Sequence, residues 1–179
     1  QYSLIALTGF LSGVFFITLL KKFSLSHNLL VAKGMSLSGG IGIGISFILI
    51  SLFSFFIQHS LSKEVVGLIT CSVIMLIFGV VDDWRELSIW AKFLIQIIAT
   101  TVLIFFGIRT RIVYIGNLFN IIITFIWVIG ITNALNHLDV MDGLAGGIAI
   151  IVSCAFFIIS FLHGDIRTAI LSLTLAAVV

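Results

Sequence analysis

The chain has 179 residues, of which 61% are hydrophobic and 9% charged, with a formal net charge of +2 and a mean hydropathy of +1.35. This composition cannot furnish a water-facing surface of ordinary polarity, which excludes a soluble globular domain, and so small a charge with no basic run excludes nucleic-acid binding. Lipid is the solvent, and there each spanning segment must satisfy its own backbone hydrogen bonds, as a helix or in a closed barrel.

Long apolar runs without alternation select helices, so the expected fold is all-α and polytopic. A span needs about 20 apolar residues, and the segments 2–20, 39–57, 64–81, 89–106, 118–133, 143–162 and 168 onward qualify. The first lacks a basic leader and a small-residue cleavage site and reads as a retained span. Asn117 and Asn120 interrupt the fifth, and Arg111-Ile-Val-Tyr-Ile-Gly116 before it suits a short strand or hairpin as well as a loop. The seventh runs into Val179 without a polar flank, so residues 1–179 are expected to form a single transmembrane domain that is the N-terminal part of a longer protein. Cys71 and Cys154 fall inside apolar stretches with no metal-binding spacing and read as small packing residues.

Loops between such spans alternate between membrane faces. Loops 21–38, 82–88 and 134–142 share one side, where Asp82, Asp83, Glu86, Asp139 and Asp142 gather, while Glu64 and Asp165 belong to the other. Lys21, Lys22, Lys33, Arg85 and Lys92 on the acidic side outnumber Lys63, Arg109, Arg111 and Arg167 opposite, which puts the acidic side in the cytoplasm.

Asp82 and Asp83 at a helix end can both ionise at modest cost only beside a cation, because each raises the other's pKa. Mg²⁺ suits this need: it takes few carboxylates and completes its shell with water and phosphate oxygens. Mn²⁺ is the alternative ion. An ordinary solvated loop is the plain alternative, but Trp84 and Trp90 bracket the segment as interfacial anchors. Ser88, Lys92 and Gln96 recur every four residues on the next helix, so Lys92 either reaches a substrate phosphate or snorkels to water.

The second cluster is Asn133-Ala-Leu-Asn136-His-Leu-Asp139-Val-Met-Asp142-Gly143. Asn133, Asn136, Asp139 and Asp142 repeat every three residues and project to one side of a helical or turn-like backbone, mixing donors and acceptors as sugar or base recognition requires. Gly143, Gly146 and Gly147 open the next helix, where Asp142 also suits an N-cap and the glycines a packing surface. Lys33-Gly34 before Gly39-Gly40 places a basic residue at a turn on the same side. Of the four histidines only His137 lies in a candidate site, as readily a surface residue as a ligand.

Gly79-Val-Val-Asp82-Asp83-Trp-Arg-Glu86-Leu-Ser with Lys92 and Gln96, followed by the asparagine-aspartate cluster, resembles the two signature motifs of the bacterial polyprenyl-phosphate N-acetylhexosamine-1-phosphate transferases. Lys33-Gly34 resembles the family's first cytoplasmic motif. The resemblance implies a larger bundle of about ten to eleven helices in the bacterial inner membrane. Its cytoplasmic site would move a sugar-1-phosphate from a UDP-N-acetylhexosamine to undecaprenyl phosphate, releasing UMP. It implies Mg²⁺ at Asp82 and Asp83, either carboxylate serving as nucleophile or as base. It further implies that Asn133, Asn136, Asp139 and Asp142 hold the nucleotide sugar, that Lys33 lies near the uracil, and that a homodimer is the candidate assembly. Arg85-Glu86-Leu87-Ser88 looks closer to the O-antigen and GlcNAc-1-phosphate branch than to the peptidoglycan translocase.

This chain departs from the family pattern in having no proline, in placing Val140 where a glycine is usual, and in showing no histidine-rich loop or later aspartate loop before Val179. The fragment by itself is therefore expected to be inactive. An intramembrane prenyltransferase would carry aspartates four apart, whereas Asp139 and Asp142 are three apart; a transporter would carry charge at mid-depth, where these spans have almost none.

Overall fold

A computed structural model describes residues 2–27, 31–32, 35–36, 38–85, 87–138 and 143–179. Among them are seven helices: α1 (Tyr2–His27), α2 (Ser38–Ile57), α3 (Lys63–Arg85), α4 (Ile89–Phe105), α5 (Gly116–Leu138), α6 (Leu144–Leu162) and α7 (Ile166–Val178). Between α1 and α2, β1 (Val31–Ala32) and β2 (Met35–Ser36) pair antiparallel, Val31 opposite Ser36. Helices α1, α2, α3, α5 and α6 are long and apolar enough to cross a membrane. With 17 residues, α4 rises about 26 Å, and α7 has 13 residues. The protein is a multi-pass membrane protein whose described residues are helical apart from this one short β pair and the connections.

Several helices outrun their apolar segments. α1 continues through Lys21 and Lys22 to His27, α3 through Asp82 and Asp83 to Arg85, and α5 through Asn133 and Asn136 to Leu138. Asn136 and the aspartate pair, expected in loops, are therefore helical. Hydropathy marks where hydrocarbon ends, but a backbone ladder pays no penalty for continuing into the polar interface. The segment before α5 forms no strand among the described residues: 108–115 is coil and turn.

The chain divides into two compact units, residues 1–60 with 146–179, and residues 61–145. In the first, α1 packs on α2 and on α7, and α2 on α7. Contact is close because glycines stand at the crossings: a Cβ at Gly42 would lie 2.7 Å from Ile17 and one at Gly13 would lie 2.9 Å from the Val178 carbonyl oxygen. Tyr2 of α1 also meets Phe157 and Phe161 of α6 edge-on, each with ring centroids 5.6 Å apart.

In the second unit α3, α4 and α5 form an antiparallel meander. Gly67 faces Phe106, the Cys71 thiol lies 3.8 Å from the Ala99 carbonyl, and Asp82 meets Lys92, so α3 and α4 run in opposite directions. Thr110 meets Asn120 and Gln96 meets Asn133, so α4 and α5 do too. The C-terminal ends of α3 and α5 and the N-terminal end of α4 thus lie at one end of this unit. In α4 and α5 the hydroxyls of Thr100, Thr101, Thr124 and Thr132 donate back one turn, to the carbonyls of Gln96, Ile97, Asn120 and Val128, so these four add no unmet donor to the apolar layer.

Candidate functional site

Asp82 and Asp83 occupy the last turn of α3, where the negative end of the helix dipole opposes carboxylates and a cation is needed nearby. Lys92 supplies it. Its Nζ lies 2.6 Å from Asp82 Oδ2, with the two side chains 34% and 21% exposed. The Leu87 backbone N–H donates to Asp82 Oδ1 at 3.0 Å, so both carboxylate oxygens are engaged across the α3–α4 turn. Ser88 caps α4 by accepting from Ala91 N–H at 3.3 Å, which sets the direction of the helix carrying Lys92. Successive helical residues diverge by about 100°. While Asp82 turns to α4, Asp83 is exposed on the surface of α3.

One turn deeper in α4, buried Gln96 forms a reciprocal amide pair with Asn133 of α5. Asn133 Nδ2 donates to Gln96 Oε1 at 2.9 Å and Gln96 Nε2 donates to Asn133 Oδ1 at 3.3 Å. Asn133 Nδ2 also donates to Ile129 O at 2.9 Å, which occupies its second amide hydrogen. In an apolar layer such an interhelical pair stabilises the contact by about 0.6–2 kcal/mol. Asn136, three residues on, lies near the same face of α5, is exposed, and stands closer to the helix end. A line of polar groups therefore runs through Asp82, Lys92, Gln96, Asn133 and Asn136 at one end of three adjacent helices.

Residues 65–179 match the family model of glycosyl transferase family 4. The chain belongs to this family. It is 30% identical over 112 residues to the probable undecaprenyl-phosphate N-acetylglucosaminyl 1-phosphate transferase of Bacillus subtilis, covering 58% of this chain and 31% of the relative. It is 28% identical over 167 residues to the phospho-N-acetylmuramoyl-pentapeptide-transferase of Streptococcus thermophilus, covering 82% of this chain and 49% of that one. To the decaprenyl-phosphate N-acetylglucosaminephosphotransferase of Mycolicibacterium smegmatis it is 30% identical over 97 residues, 49% of this chain and 24% of the relative. The chain thus spans half or less of the length of these curated relatives. No solved structure matches it.

In this family member the structure pairs two of the residues expected from sequence, Asp82 and Lys92, and ties Asn133 to Gln96 one turn further along α4, while Asp83 and Asn136 are exposed near the C-terminal ends of α3 and α5. Lys33, Glu86, Asp139 and Asp142 lie outside the described residues. Two details differ from expectation. Lys92 is held by Asp82 instead of pointing alone toward water, and Asn133 spends both amide hydrogens within the protein, leaving Asn136 as the exposed asparagine. The pairing of Gln96 with Asn133 is not legible in the spacing, although Gln96 is an uncharged amide buried in an apolar helix, where an unpaired amide would be costly.

The donor set at Asp82 and Asp83 is hard carboxylate oxygen, which fits Mg²⁺. Among the described residues, no three of His, Cys, Asp and Glu converge as a ligand group.

Proposed function

We propose that this glycosyl transferase family 4 protein moves an N-acetylhexosamine-1-phosphate from a UDP-sugar to undecaprenyl phosphate at the cytoplasmic face of the bacterial inner membrane. A lipid-phosphate oxygen would bond to the sugar-bearing phosphorus as its bond to the UMP phosphate breaks, giving a lipid diphosphate sugar and UMP. The observation that carries this reading is the line from Asp82 to Asn136 at one helical end, in a chain whose relatives are named for this class of transfer.

Phosphoryl transfer asks chiefly for alignment and for neutralisation of charge. Asp83, with the carboxylate lone pairs of Asp82 that Lys92 and Leu87 leave open, would hold a Mg²⁺ that neutralises the diphosphate. Asp82, tied at both oxygens, holds the Lys92 ammonium at the site. Lys92 adds positive charge beside the phosphates, and exposed Asp83 meets the lipid phosphate. Gln96 and Asn133 act as positioning residues, fixing α5 against α4 so that Asn136 stands at a set distance from Lys92. The family pattern implies that Asn136, Asp139 and Asp142 would hold the nucleotide sugar and that Lys33 would serve the uracil.

A second reading, transfer of a phospho-muramoyl-pentapeptide, is favoured by the Streptococcus relative, whose alignment reaches across 82% of this chain. UMP release from membranes holding the complete protein and undecaprenyl phosphate tests both. Release with UDP-N-acetylhexosamines supports the first reading and release only with the UDP-muramoyl-pentapeptide supports the second. Release with neither overturns both.

A further inference from the structure

The connection between α4 and α5 lies at the end of its unit away from Asp82, and residues 106–115 carry two cations, Arg109 and Arg111, with no anion. Its backbone is fastened to the first turns of α5. Thr110 N–H donates to Thr124 Oγ1 at 3.0 Å and the Thr110 hydroxyl donates to Asn120 O at 2.8 Å. Asn120 accepts from Ile112 N–H at 2.8 Å and donates to Ile112 O at 3.1 Å and Gly116 O at 2.9 Å. Asn120 and Thr124 are 7% and 4% exposed, so a buried polar cluster holds this short loop in one shape.

The fastened loop presents its charges to a shallow cavity of about 320 Å³ lined by Arg109, Arg111, Gly116 and Asn117 among others. Arg109 is half-buried and Arg111 exposed. Neither guanidinium forms an ion pair or hydrogen bond among the described residues. A half-buried guanidinium without an anion is unfavourable, and planar guanidinium groups match phosphate oxygens in bidentate fashion. Beside the cavity stands apolar surface turned away from the protein: Val113 is 85% exposed, Tyr114 95%, Leu118 67% and Phe119 60%. Cations next to uncovered apolar side chains at a helix end suit an amphiphile whose head is anionic.

We infer that Arg109 and Arg111 bind the phosphate of an anionic lipid headgroup on the membrane face opposite Asp82, with the acyl chains along Leu118 and Phe119. This site stands independently of the transfer reaction. The test is native mass spectrometry of the complete protein extracted from vesicles of mixed phosphatidylglycerol and phosphatidylcholine. The wild type retains phosphatidylglycerol in preference to phosphatidylcholine. Arg109→Gln/Arg111→Gln retains about tenfold less of it, and Arg109→Lys/Arg111→Lys keeps part of the preference. Arg111→Gln alone, at an exposed side chain with no protein partner, gives the same reading should the double variant fail to fold. Unchanged retention in the glutamine variants, or equal retention of the two lipids by the wild type, overturns the inference. Displacement of phosphatidylglycerol by low-millimolar inorganic phosphate overturns the lipid assignment and gives the site to a free anion.

Discussion

In the unit of residues 61–145 one close glycine, Gly67 against Phe106, is joined by side-chain hydrogen bonds between elements, Asp82 to Lys92, Gln96 to Asn133 and Asn120 to the 110–112 loop, whereas in the other unit α1, α2 and α7 meet where Gly13 and Gly42 let them close. Lipid offers little hydrophobic drive for helix association, so van der Waals closeness and polar pairing are the two available means. They differ in what they specify. Close packing sets a distance between helices and is indifferent to which functional groups stand nearby. A polar pair also aligns particular side chains, and the unit that uses such pairs is the one that carries Asp82 and Asp83.

The comparison breaks first at the aspartates. Asp83→Asn in the complete protein is expected to lower transfer by at least about 100-fold with membrane insertion intact, measured as UMP release. Wild-type turnover would leave the polar unit with a structural role only. Next, Gly42→Val should destabilise the close-packed unit by about 1–3 kcal/mol, because the new side chain meets Ile17. A lower thermal midpoint in detergent with kcat/KM unchanged in the folded fraction would sharpen the contrast, whereas a specific loss of kcat would erase it.

Gln96→Leu is expected to destabilise the α4–α5 contact by about 1 kcal/mol and to lower kcat/KM about tenfold, since a 1.4 kcal/mol misalignment term corresponds to that factor. The exchanged pair Gln96→Asn/Asn133→Gln should recover part of the activity. A double-mutant cycle with no coupling would show that the amides do not act together.

The smallest effect concerns a polar feature of the close-packed unit. Asp165 caps α7, accepting from Thr168 N–H at 3.3 Å and from the Thr168 hydroxyl at 2.6 Å. The Thr168 hydroxyl, more than any other neighbour, holds its carboxyl below the ordinary range. A lowered carboxylate pKa contributes stability that is present above the unfolded pKa of about 4 and is lost as pH falls through the lowered folded value. Asp165→Ala should therefore cost about 0.5–1 kcal/mol at neutral pH, with the difference shrinking in acid. A thermal midpoint difference that persists unchanged in acid would remove the cap from the account.

Much of the site was legible because it is written in local spacing. The adjacency of Asp82 and Asp83, the four-residue step from Lys92 to Gln96 and the three-residue step from Asn133 to Asn136 each place groups on one helix face without knowledge of any neighbour. The partner of a face is a different matter. Nothing in the spacing states that Lys92 closes on Asp82 or that Gln96 pairs with Asn133, 37 residues away. In the sequence Asn120 reads as an interruption of a span. It is a buried tie that lets α5 begin at Gly116, because its amide serves the loop backbone.

From its residues alone this chain is determined to be a membrane protein of apolar helices with its carboxylates grouped beside them, because transfer from water to lipid depends on composition and run length, which are one-dimensional properties. Tertiary structure decided where the helices stop, which unit each joins, and which polar groups meet. Those outcomes depend on contacts between segments far apart in sequence, where a hydrogen bond or a missing Cβ selects one packing among many that have the same hydropathy.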